Sequence, residues 1–152
     1  MVIDYAHTPD AIEKVLLALQ SVAKARGGRL WCVLGCGGDR DASKRPLMAA
    51  TAQKNSDQIV VTSDNPRSEN PTAIISQMML GLTHSESVHV QADRALAIAQ
   101  TLASAQPDDV VLLAGKGHED YQEVQGIKHP FDDMRHARTA LDLRQSRAGA
   151  LS

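Results

Sequence analysis

Apolar and polar positions along this chain follow two rhythms that take turns. Ile12, Val15, Leu16, Leu19, Val22 and Ala23 recur three and four residues apart, which puts them on one stripe of a helix. Thr8 suits an N-cap, Pro9 the first helical position, and Asp10 and Glu13 the positive end of the macrodipole. Gly27-Gly28 ends the run. Leu30 to Leu34 is then continuously apolar, the pattern of a strand covered on both faces. The alternation repeats with a helix from near Lys44 to Asn55, a strand over Gln58 to Thr62, and a helix opened by Asn70-Pro71 and running to Met79. Ser87 to Val90 reads as a weaker strand, Asp93 caps a helix over Arg94 to Ala105, and Val110 to Ala114 is the most apolar strand. Val2 to Tyr5 looks like the end of a strand. A hairpin-like polar stretch spans Tyr121 to His129, and a last helix runs from about Asp132 to Arg144.

Strands alternating with helices imply right-handed crossovers and a mainly parallel sheet. The expected fold is α/β and Rossmann-like, with that sheet flanked by helices. In such a fold ligands sit beyond the carboxyl ends of the strands. Three strand ends here run into polar, glycine- or proline-bearing loops: Gly35 to Pro46, Ser63 to Pro71, and Gly115 to Gln122.

Composition narrows the picture. The chain has 152 residues, 43% of them hydrophobic, enough for one domain with a real core. No apolar run approaches the ~20 residues of a membrane span. Two cysteines make no disulfide framework, so a reducing cytoplasm is expected. A net charge of −2 without a basic stripe argues against a nucleic-acid surface. The six histidines (His7, His84, His89, His118, His129, His136) form no metal-ligand spacing, and no metal site is expected. Cys32 and Cys36 are expected to be buried free thiols, and Met48, Met78, Met79 and Met134 core filler. Arg135, Arg138 and Arg144 read as a solvated helix face. No triad spacing is present, and no catalytic side chain is assigned.

Each loop has two readings. In Gly35-Cys36-Gly37-Gly38-Asp39-Arg40, Arg40 offers a planar fork for a carboxylate or phosphate, or it is a solvated arginine on a tight turn. In Asp64-Asn65-Pro66-Arg67, Pro66 stiffens the loop, which either presents Asn65 and Arg67 to a carboxylate or is a turn leading to the Asn70 cap. In Gly115-Lys116-Gly117-His118-Glu119-Asp120 the GKG is not a phosphate loop, because GxxxxGK[ST] is absent. There Glu119 and the Gly115 carbonyl can share an ammonium, or the charges are simply solvated. Together the loops suit a small zwitterion with more than one carboxylate.

The segments Asp4 to Asp10, Gly35 to Pro46, Asp64 to Arg67 and Gly115 to Tyr121 occur in the order of the Mur ligase family, which the chain resembles over roughly residues 2 to 143. The Asp64-Asn65-Pro66-Arg67 motif resembles that of the members adding meso-diaminopimelate. The resemblance implies an ATP-dependent ligase of bacterial peptidoglycan precursors, cytoplasmic and built of three domains. By this resemblance the chain would be its C-terminal amino-acid-binding domain, expected to be inactive without the ATP-binding domain. Residues 1–7 are expected to be a hinge segment, 8–145 the Rossmann-like domain, and 146–152 a frayed tail. By the same resemblance Arg40, Asn65, Arg67, Gly115 and Glu119 bind meso-diaminopimelate, with Asp64, Pro66, Lys116 and His118 as supporting motif residues. Asp4, Tyr5 and His7 would approach the nucleotide, or form only a hinge strand and helix cap. ATP and Mg2+ would be held mainly by a central domain, as would the UDP-N-acetylmuramoyl dipeptide by the remaining parts. Lysine lacks the distal carboxylate and would leave Arg67 unpaired, a penalty on the order of 10⁴ in selectivity. A stand-alone zwitterion-binding or regulatory module is the alternative.

Overall fold

The computed structural model describes residues 1–151. Five strands form one parallel sheet: β1 (Val2–Asp4), β2 (Leu30–Cys36), β3 (Gln58–Ser63), β4 (Val88–Val90) and β5 (Val110–Ala114), in the order β1-β5-β2-β3-β4. The helices are α1 (Pro9–Arg26), α2 (Lys44–Asn55), α3 (Pro71–Met79), α4 (Arg94–Ser104) and α5 (Asp133–Ala150). A two-stranded antiparallel hairpin, β6 (Tyr121–Val124) with β7 (Ile127–Pro130), precedes α5.

Caps hold the helix starts where the sequence puts them. Thr8 Oγ1 accepts from the Ala11 N–H, and Gly27 ends α1 with φ 73°, a conformation glycine adopts without steric penalty. Asn70, Asp93 and Asp132 accept from first-turn N–H groups of α3, α4 and α5.

All seven residues of β2 and all five of β5 are buried, because helices cover both faces. Ile12, Leu16, Met48, Ile74 and Met78 from α1, α2 and α3 pack on Leu30, Cys32, Leu34, Ile59, Val61 and Leu112. Ala97, Ile98, Leu102 and Ala137 from α4 and α5 pack on Trp31, Val33, Val60, Val111 and Leu113. Each large aliphatic side chain sealed in this way contributes ~1.5–3 kcal/mol. The chain leaves β2 toward one layer of helices and leaves β5 toward the other. The crevice at the carboxyl ends of these neighbouring strands is thus a topological switch point.

Three expectations are corrected. The last helix does not stop at Arg144 but continues to Ala150, so residues 146–150 are helical; Ser152 of the expected tail lies outside the described residues. Arg144 is not on a solvated face. Its Nη1 donates to the Leu102 and Ala105 carbonyls at 2.6 and 2.5 Å, satisfying the open C-terminus of α4. Met134 is exposed, since the inward face of α5 is taken by small residues such as Ala137.

Candidate functional site

The three loops expected to converge do so. A cavity of about 420 Å³ opens at the switch point, lined among others by Arg40, Asp64, Asn65, Arg67, Gly115 and Glu119. Tyr5 and His7 stand on its rim, exposed, with ring centroids 4.9 Å apart in an edge-on arrangement.

The β3–α3 loop carries the most constrained residues. Asn65 is 3% exposed. Its Oδ1 accepts from the Glu123 N–H at 3.0 Å and from Lys116 Nζ at 2.9 Å, while its Nδ2 donates to Glu119 Oε1 at 3.0 Å. Arg67 has φ 52°, in the left-handed region. The hairpin imposes that turn: the Arg67 N–H donates to the Glu123 carbonyl at 2.9 Å, and the Gln125 N–H donates to the Arg67 carbonyl at 2.8 Å. Pro66 does not line the cavity. Its carbonyl lies against Gly38, where an added Cβ would sit 1.8 Å from that oxygen, so only glycine fits there.

Arg67 is not left bare. Its Nη1 donates to the Gly38 carbonyl at 2.9 Å and its Nε lies 3.4 Å from Glu123 Oε2. The Arg67 guanidinium therefore has protein partners of its own even with the cavity empty of a carboxylate. Arg40 is exposed at the mouth, bonded among the described residues only to the Asp39 carbonyl at 3.1 Å, and its fork is available.

Lys116 overturns the reading of a turn with solvated charges. Its side chain is fully buried, with Asp64 Oδ1 at 3.1 Å, Glu119 Oε1 at 3.4 Å and the Tyr121 carbonyl at 2.8 Å around the ammonium. Asp64 Oδ1 is engaged through this ion pair alone. Asp4 does not line the cavity: its Oδ1 accepts from the Ala6 N–H and its carbonyl from the Gly115 N–H, so it shapes the turn below the rim. His118 is exposed and lies outside the lining.

Two partners were not foreseen. Arg45 is 2% exposed and donates to both Glu69 oxygens at 3.1 and 2.6 Å and to the Gly37 carbonyl at 3.0 Å, tying α2 to the loops. Those hydrogen bonds, with a further one from the Asp39 N–H, hold the Glu69 carboxyl below its ordinary range. The cue was the basic pair Lys44-Arg45 before Pro46, but nothing local marked Glu69 as the counterpart of Arg45, or Glu123 as that of Arg67. Cys36 also lines the cavity. Burial, and then the Asp64 carboxylate, push its thiol up to about 12, so it is no nucleophile at neutral pH.

The described residues contain no group of three or more His, Cys, Asp or Glu that could hold a metal ion, and no helix among them is long and apolar enough to cross a membrane. The lining brings three arginines (Arg40, Arg45, Arg67), the Asn65 amide and three carboxylates (Asp41, Asp64, Glu119) around one space, groups able to meet both carboxylates and ammonium groups of a small molecule.

Comparison with known proteins agrees with this geometry. Residues 1–117 match the family Mur ligase, glutamate ligase domain. A UDP-N-acetylmuramoyl-L-alanyl-D-glutamate–2,6-diaminopimelate ligase from an Acidovorax species is 63% identical over 139 residues, covering 91% of this chain and 28% of the relative. The Pseudomonas aeruginosa enzyme of the same name is 57% identical over 141 residues, 93% of this chain and 28% of its own length. A solved structure of a ligase bearing this name superposes with a TM-score of 0.87 at 46% identity, covering 94% of this chain and 29% of that one. A murein peptide ligase from Psychrobacter arcticus, 17% identical over 91% of this chain and 27% of its own, shares the fold with a TM-score of 0.60. The chain thus spans under a third of the length of these relatives. On its matched residues and its fold, the chain belongs to the Mur ligase family, as a glutamate ligase domain.

Proposed function

We propose that this domain receives meso-diaminopimelate for ATP-dependent amide-bond formation with a UDP-N-acetylmuramoyl dipeptide ending in D-glutamate. Arg40 holds the carboxylate beside the reacting amine. Asn65 and Arg67 hold the distal carboxylate, and Glu119 with the Gly115 carbonyl takes the distal ammonium. The observation that carries this reading is the convergence of these five residues, from three separate loops, on one cavity of about 420 Å³. The names of the most similar relatives support the choice of substrate.

ATP would supply the phosphoryl group that activates the D-glutamate carboxylate. The described residues contain neither a Walker loop nor a metal-ligand cluster, so the groups present do not fit ATP phosphates or Mg2+. This chain's own contribution is to bind the diamino acid, orient its reacting amine and exclude water around it, which converts an encounter into a positioned attack. Tyr5 and His7, on the rim, are the groups placed to meet a nucleotide on closure.

Titration calorimetry of this chain with meso-diaminopimelate and L-lysine tests the binding half. Meso-diaminopimelate is expected to bind more tightly, by about tenfold or more; equal affinities would overturn the site assignment. Exchanging this domain for the corresponding segment of the Pseudomonas aeruginosa relative tests the ligation half. Retained diaminopimelate ligation is expected, whereas binding without ligation would favour a stand-alone binding module.

A further inference from the structure

Lys116 has no assignment in the function just proposed. It is fully buried and does not line the cavity, so it cannot meet a ligand there. Yet its ammonium is the common partner of three side chains that do line it: Asp64, Asn65 and Glu119. It also donates to the Tyr121 carbonyl at 2.8 Å, joining the start of the hairpin to the same centre.

An ammonium only donates, so every group around it must turn an oxygen inward. Asn65 turns Oδ1 toward Lys116 and the Glu123 N–H, which leaves Nδ2 to donate to Glu119 Oε1. Glu119 Oε1 thereby has two donors, Asn65 Nδ2 at 3.0 Å and Lys116 Nζ at 3.4 Å. Glu119 Oε2 has no hydrogen-bond donor among the described residues. The second oxygen of a carboxylate anchored through its first is held in place for a cation arriving from the cavity side. Asp64 and Glu119 carry two negative charges against the single positive charge of Lys116, so the cluster keeps one negative charge for that arriving cation.

We propose that Lys116 is a positioning residue that sets the affinity for the ligand's distal ammonium, by anchoring Glu119 and Asn65 so that Glu119 Oε2 faces it. This rests on the function proposed above. A lysine that merely filled and neutralised the interior would influence all ligands alike. The positioning role instead predicts a loss confined to ligands that carry the distal amine.

The test compares meso-diaminopimelate with 2-aminopimelate, the same skeleton without the distal amine, by calorimetry on this chain and on Lys116→Met. In the unchanged chain meso-diaminopimelate is expected to bind about tenfold more tightly than 2-aminopimelate, the worth of one charge-assisted hydrogen bond. In Lys116→Met that advantage disappears, while 2-aminopimelate binding changes by less than about threefold, because Asn65 Oδ1 keeps its second donor, the Glu123 N–H, and so still presents the amide to the distal carboxylate that both ligands share. An equal loss for both ligands, or an advantage that survives, overturns the proposal. Should Lys116→Met not fold, the ¹⁵Nζ resonance of Lys116 in the unchanged chain decides. It is expected to move on titration with meso-diaminopimelate and to stay put with 2-aminopimelate; equal shifts overturn the proposal. A chain that fails to prefer meso-diaminopimelate over L-lysine would instead sink the functional reading, so the two failures are distinguishable.

Discussion

Of the three buried cations Arg45, Arg94 and Lys116, the last two meet groups at or just beyond the ends of β3 and β5. Arg94 donates through Nε and Nη2 to both Asp133 oxygens at 2.8 and 2.7 Å, and to the carbonyls of Ser63 and Ala114 at 3.1 and 3.0 Å. Both members of that pair are fully buried and both carboxylate oxygens are taken. Lys116 sits among two carboxylates that line the cavity, one of which, Glu119, has an oxygen without a hydrogen-bond donor among the described residues. A closed pair and an open one thus meet the ends of the same two strands. Burial of a charge alone does not mark a binding site; a buried charge whose partners are left over-supplied does.

The largest expected effect tests the closed side. Asp133→Ala strands a buried guanidinium and is expected to lower stability by about 3–5 kcal/mol in urea unfolding, while Arg94→Met combined with Asp133→Leu recovers much of that loss. A ligand affinity that fell more than stability in the folded variant would break the division between the two centres. On the open side, Arg67→Ala is expected to weaken meso-diaminopimelate binding about tenfold to a hundredfold and to abolish its preference over lysine. Calorimetry with both ligands checks this, and a surviving preference would remove Arg67 from the site. The smallest effect concerns the tie behind the site. The Glu69 carboxyl is held below its ordinary value of 4.5 by hydrogen bonds from Arg45 and then from the Asp39 N–H. A lowered folded-state value means that its stabilisation is present above pH 4.5 and is lost as pH falls through the folded value. Thermal unfolding between pH 6 and 3 should therefore drop more steeply for the unchanged chain than for Glu69→Gln. Parallel curves would deny the tie any energetic part.

Much of this was legible in the residues. Alternating periodicity located every strand and helix of the sheet, because both faces of β2 and β5 are covered and their apolar runs are unbroken. Strand ends with irregular polar loops located the cavity, as a switch point requires. The burial of Lys116 was not legible. Its neighbours Gly117, His118, Glu119 and Asp120 read as solvated, and its partner Asn65 lies 51 residues away. The same holds for Arg144, whose acceptors are the open carbonyls of a different helix, and for the hairpin, which donates Glu123 to Arg67 across a bridge that no local pattern announces. Periodicity records which face of an element is inward. It does not record which loops will meet, and the chemistry here lives where they do.

The left-handed turn at Arg67 has a consequence for how this domain can change over generations. A side chain with a Cβ carries about 1–2 kcal/mol of strain in that conformation, which glycine escapes and asparagine partly relieves. Random variation sorted only for resistance to heat would therefore drift toward small residues at this position, away from the guanidinium that lines the cavity. On the function proposed above, an arginine kept there is kept for what it binds, not for how firmly the domain folds.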